Sequence, residues 1–191
     1  MKKLIITFLV LVFLSQSSVK ASAHAYSIAF TKVTFSETET IIEYVIDDLS
    51  VLESVQGVDL DNDYYLTEEE VTNKSSLIKD WVDEHLLIEL NGELAAAKDY
   101  EITFHIEPPF RSSFKFESEF DYDESLMPDL KFIKVKLYYP PRQESGPFKI
   151  EDKFYLNDLE TENYGNFLNI INDGSIKTTV LFGSQRTNDT N

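Results

Sequence analysis

Along most of the chain, apolar and polar positions alternate with the period of a β-strand. "SIAFTKVTF" (Ser27 to Phe35) and "TIIEYVI" (Thr40 to Ile46) are rich in β-branched and aromatic residues, and "SETE" between them supplies a turn. "LLIEL" and "ELAAA" flank Asn91-Gly92, the pair best suited to a two-residue hairpin, because both turn positions take positive φ. Further runs follow in "YEITFHI", "SFKFESEF", "LKFIKVKLYY", "FKIEDKFYL", "NFLNII" and "IKTTVLF", separated by loops such as "EPPF" and "PPRQESGP". About eight to ten strands at this spacing predict a mainly β fold, an antiparallel immunoglobulin-like β-sandwich.

One region follows a different period. From Thr67 to Leu86, Val71, Ile78, Trp81, Val82 and His85 recur near helical spacing, and Thr67 and Glu70 are placed as a capping box. A shorter helix is expected in "DDLSVLESVQ", with Leu49, Leu52 and Val55 or Gln56 on one side. The expected organisation is a sandwich domain over residues 26–183 with a helix–loop–helix insertion at about 47–86. The last residues, 184–191, read as a flexible tail.

The N-terminal pattern changes the starting point of the fold. Lys2 and Lys3, an apolar run from Leu4 to Leu14 and a stretch of small and polar residues have the layout of a secretory signal peptide, too short to span a bilayer. The small-x-small rule fits cleavage after Ala23 or after Ala25. The mature part is then about 168 residues, enough for one domain with its own core. Export predicts an extracytoplasmic protein, secreted or associated with the cell envelope, and nothing after the signal peptide reads as a membrane span.

Charge narrows the partners. The sequence carries 34 acidic against 17 basic residues, a formal charge of −17; loss of Lys2, Lys3 and Lys20 takes it to −20. Such a surface repels nucleic acid and anionic membranes and attracts cations. With no cysteine, disulfides, thiolate ligands and a thiol nucleophile are excluded.

A cation site is suggested by "DLDNDYYLTEEE", Asp59 to Glu70. In the twelve-residue EF-hand loop, side-chain oxygens come from the first, third and fifth positions, a backbone carbonyl from the seventh, a water-mediated contact from the ninth and a bidentate glutamate from the twelfth. Those positions hold Asp59, Asp61, Asp63, Tyr65, Thr67 and Glu70, so calcium is the expected ion. Leu66, in the eighth position, is an aliphatic anchor to the core. Tyr64 stands where glycine usually supplies positive φ, a substitution costing about 1–2 kcal/mol. Gly57 falls where the entering helix should still be running.

Taken together, a signal peptide ending in Ala-His, a β-rich segment, "VDLDNDYYLTEEEV" before a helix and an Asn-Gly turn, and "FYLNDLETENYGNFLNIINDG" resemble the extracytoplasmic N-terminal domain of HupE/UreJ-type membrane proteins. The resemblance covers essentially the whole mature sequence. Family members carry a helical membrane part linked to nickel or cobalt uptake; none follows in these residues, so transport is not among the implied properties. What the resemblance implies is a soluble outer domain, with an envelope membrane protein as its partner. The expected function is an exported calcium-binding module that serves as a binding or accessory domain at the cell envelope, with a structural ion.

The alternative is a transition-metal capture protein feeding an envelope transporter. Cleavage after Ala23 leaves His24 at the mature N-terminus, where its α-amine and imidazole would chelate copper or nickel with His105 as a third nitrogen. His85, on the apolar face of the predicted helix, reads as a hydrogen-bonded core histidine. No nucleophile elbow, zinc-protease helix or phosphate-cradling glycine loop is present, and an enzyme is not expected.

Overall fold

A computed structural model describes residues 27–105, 131–154, 164–172, 175–182 and 187–190. The predicted signal peptide and the run "SFKFESEF" lie outside the described residues. Among the described residues, ten strands form two sheets. β1 (Ser27–Phe35), β2 (Thr40–Asp47), β5 (Asp99–His105), β6 (Phe132–Tyr139), β8 (Tyr164–Asn172) and β9 (Ser175–Phe182) make a six-stranded sheet in the order β5-β6-β2-β1-β8-β9. β3 (Leu86–Leu90), β4 (Glu93–Leu94), β7 (Phe148–Asp152) and β10 (Thr187–Thr190) make a four-stranded sheet in the order β10-β7-β3-β4.

Period-two burial decides which side of each strand faces inward. Ala29 and Val33 of β1, Ile42, Tyr44 and Ile46 of β2, and Ile133, Val135 and Leu137 of β6 are buried in one apolar core. Leu86, Ile88 and Leu90 of β3 and Phe148 and Ile150 of β7 join the same core from the second sheet. Phe35 meets Phe148 edge-on across it, with ring centroids 5.1 Å apart. The Asn91-Gly92 hairpin forms as expected: φ is 57° and 84°, and Leu90 pairs with Glu93.

Three expectations are corrected. The sheets are not wholly antiparallel: β1 pairs with β8 in parallel, Ser27 opposite Tyr164 through Thr34 opposite Ile171. More than a hundred residues separate these strands in sequence, so no hairpin constrains their direction, and a long crossover permits parallel pairing. Nor is the C-terminus only a tail. Thr187–Thr190 pairs with β7, where backbone hydrogen bonding to an open edge outweighs the weak strand propensity of "TNDT". The helix expected from Thr67 to Leu86 is broken at Lys74 into α2 (Glu68–Asn73) and α3 (Ser75–His85), after the weak helix formers Thr72 and Asn73.

The helical segment is the link between the sheets. α1 (Asp48–Ser54) starts where β2 ends, capped by Asp47, whose carboxylate accepts the Ser50 N–H and hydroxyl, each at 2.7 Å. α3 leads directly into β3. Val51, Val55, Val58, Leu66, Val71, Ile78 and Val82 carry the insertion's apolar side into the common core. His85 is half-buried, with Nδ1 2.8 Å from the Trp81 carbonyl and its ring stacked on Phe154, matching the hydrogen-bonded reading.

A polar seam runs through this core. Asp152, fully buried at the end of β7, accepts the Phe154 N–H at 3.1 Å on one oxygen. The other oxygen accepts the Tyr164 hydroxyl and the Asn166 amide, both at 2.8 Å. Thr31 donates to Asn166 at 2.9 Å, and the Tyr44 and Tyr164 hydroxyls lie 3.0 Å apart. Tyr164 gives its only proton to Asp152, so Tyr44 must donate to Tyr164. Burial, and then the nearby Asp152 charge, push the Tyr164 phenol well above its ordinary pKa, which keeps that proton in place.

Candidate metal centre

The acidic loop lies between α1 and α2 and is shaped by its own carboxylates. Asp59 accepts the Asn62 N–H at 2.7 Å on one oxygen and the Tyr64 N–H at 3.1 Å on the other. Asp61 accepts the Asp63 N–H at 3.2 Å, and Asp63 accepts the Tyr65 N–H at 2.9 Å. Short Asp side chains that bond backbone a few residues ahead coil the loop tightly. Leu66, 1% exposed, anchors the far end of the coil in the core.

The three aspartates converge as a consequence. Ligand-capable oxygens of Asp59, Asp61 and Asp63 all lie within 4.8 Å of one another. Two oxygens bound at calcium distances of about 2.3–2.6 Å can be separated by up to about 5 Å, so each pair in the cluster is spaced closely enough to share an ion. The donor set is hard, anionic oxygen, suited to calcium rather than to a soft metal. Asp61 and Asp63 are exposed and Asp59 is half-buried, so the cluster opens to solvent. Partial desolvation raises the Asp61 carboxyl above its ordinary pKa. The Asp63 N–H opposes this shift, and the charges of Asp63, Glu70 and Asp59 reinforce it.

Glu70 occupies a different position. It is 6% exposed, and its carboxylate bridges the two ends of the loop. One oxygen accepts the Leu60 N–H at 2.8 Å; the other accepts the Thr67 N–H at 3.0 Å and the Thr67 hydroxyl at 2.8 Å. The Glu70 N–H donates back to the Thr67 hydroxyl at 3.2 Å, which completes the predicted capping box. These donors, the Leu60 N–H first, lower the Glu70 pKa and keep it anionic. The structure thus brings Asp59, Asp61 and Asp63 together, with Glu70 beside them; the Thr67 hydroxyl takes part in the cap and the Tyr65 N–H in the turn.

Within the acidic loop, two residues have left-handed φ, Asn62 at 58° and Tyr64 at 66°. The second is the strain expected for a tyrosine in the glycine position. The first carries no such expectation, although asparagine is among the residues that tolerate this region best. Nor does the residue pattern foretell the apolar rim: Leu60 is 50% exposed, Tyr64 77% and Tyr65 67%. The entering helix ends at Ser54, and Gly57, with φ of 80°, turns the backbone before the loop.

His24 lies outside the described residues. His105 closes β5 opposite Phe132, and its imidazole lies outside them as well. Among the described residues, no helix is long and apolar enough to cross a membrane. No protein-family model matches this sequence, and no curated protein matches it.

Proposed function

We propose that residues 59–70 form a calcium-binding loop of EF-hand type, inserted into an immunoglobulin-like sandwich and serving as a structural clasp. The observation that carries this reading is the convergence of three carboxylates on one point, imposed by hydrogen bonds to the loop's own backbone. Calcium would supply the positive charge that this acidic surface lacks. Asp59, held by the Asn62 and Tyr64 N–H groups, is pre-oriented toward the ion, as are Asp61 and Asp63. Glu70 anchors the exit helix and lies close enough to influence Asp61. The cost of Tyr64 and the solvent-open cluster favour weak affinity, with a dissociation constant of about 10⁻⁴–10⁻³ M, as in extracellular modules.

In this proposal the protein is an exported binding or accessory domain at the cell envelope, not an enzyme, in keeping with its resemblance to the outer domain of HupE/UreJ-type proteins. Calorimetric titration of the mature domain with calcium tests the ion directly. Saturable binding abolished by Asp59→Ala and weakened by Glu70→Gln supports the clasp. No heat up to several times the weak end of that range, or heat unaltered by Asp59→Ala, removes it.

A further inference from the structure

The Asn91-Gly92 turn holds a second kind of chemistry. We infer that Asn91 is a latent deamidation site, kept closed by the loop that joins β6 to β7. In this reaction the Gly92 amide nitrogen attacks Asn91 Cγ and forms a cyclic imide. The Cγ–Nδ2 bond breaks, the nitrogen leaves as ammonia with the proton lost by the Gly92 amide, and water then opens the ring. Opening at one carbonyl gives aspartate; opening at the other gives isoaspartate, with one more carbon in the backbone. Glycine is the most permissive successor because no substituent hinders the attacking nitrogen. Here Gly92 is exposed and Asn91 only half-buried, so water has access.

What restrains the reaction comes from the neighbouring loop. The Gln143 N–H donates to Asn91 Oδ1 at 2.9 Å, and the Asn91 N–H donates to the Pro147 carbonyl, also at 2.9 Å. Gly146 packs so closely beneath the amide that a Cβ there would lie 2.1 Å from Asn91 Oδ1. The loop is itself closed by the Gly146 N–H on the Gln143 carbonyl and by the Arg142 guanidinium on the Gly146 carbonyl, with Arg142 resting over the Phe35 ring. Asn91 is therefore clasped on its amide oxygen, and cyclisation requires the amide to leave that clasp. The conversion would add a negative charge at the β3–β4 hairpin or, as isoaspartate, lengthen its two-residue turn.

The test is peptide-resolved mass spectrometry of the intact protein and of its urea-unfolded form, both incubated at mildly alkaline pH. Asn91 in the folded protein should convert about fivefold more slowly than in the unfolded form, the factor for a restraint of about 1 kcal/mol. Gly146→Ala, whose new methyl displaces the flexible end of Asn91, should convert faster than the wild type while retaining the wild-type β-sheet circular dichroism. Equal rates in folded and unfolded wild-type protein would overturn the inference. So would a Gly146→Ala protein that folds normally and converts no faster.

Discussion

Two groups of carboxylates in this protein are satisfied in opposite ways. Asp59, Asp61 and Asp63 lie at or near the surface and accept hydrogen bonds from backbone no more than five residues away. Asp152 is fully buried and, besides the neighbouring Phe154 N–H, accepts from β8, more than ten residues along, in a seam that also draws in β1 and β2. The first arrangement concentrates negative charge at a solvent-open point that a cation can relieve. The second surrounds a single carboxylate with donors, which gives the buried group the partners that burial demands. In these two groups, local partners leave the carboxylates clustered near the surface, whereas distant partners let one buried carboxylate tie the sheets together.

The sharpest way to break this contrast is Asp152→Ala. It leaves the Tyr164 hydroxyl, the Asn166 amide and the Phe154 N–H without this acceptor, and should cost about 3–5 kcal/mol in urea denaturation. A midpoint near that of the wild type would mean that the seam does not join the sheets. The loop is tested next by its ion. At tenfold to hundredfold excess over the dissociation constant, calcium should stabilise the fold by about 1.4–2.7 kcal/mol, a gain absent from Asp59→Ala. Stabilisation that survives that substitution would place any bound ion elsewhere.

Asp48 offers a smaller, pH-dependent effect. Burial first, and then the neighbouring Asp47 charge, raise its pKa from 3.8 to about 6 against the opposing pull of Lys131. A carboxyl raised on folding favours the native state below the unfolded value, and that advantage is lost as pH climbs from about 4 through 6. Asp48→Asn should therefore stabilise the protein at pH 7–8 by about 1 kcal/mol, after screening of a partly exposed group, and should make little difference at pH 4. A mutant-minus-wild-type difference independent of pH would contradict the shift. Tyr64→Gly addresses loop strain: relief of φ at 66° should yield about 1 kcal/mol and tighten calcium binding, since the exposed ring has little packing to lose. Lower stability would show that the ring is held by more than its backbone.

The local features were legible because their causes lie within a few residues. Thr67 and Glu70 announce a capping box, Asn91-Gly92 a hairpin, alternating "FIKVKLYY" a half-buried strand, and the spacing of Asp59, Asp61 and Asp63 a loop that gathers their carboxylates. Even the strain at Tyr64 followed from residue type and position. Other features were hidden because their causes are remote. The parallel β1–β8 pair, the addition of "TNDT" to β7 and the placing of Asp152 among Tyr164, Asn166 and Phe154 depend on which strands collapse together. Glu70 shows both sides: the sequence placed it in the cap, while only the folded loop brought the Leu60 N–H onto its other oxygen and joined the two ends of the acidic turn. Backbone propensity and short-range hydrogen bonds act between near neighbours and can be read in the sequence. Pairing between distant strands, and burial of the polar groups they carry, are decided only when one core forms and each group must find its partner inside it.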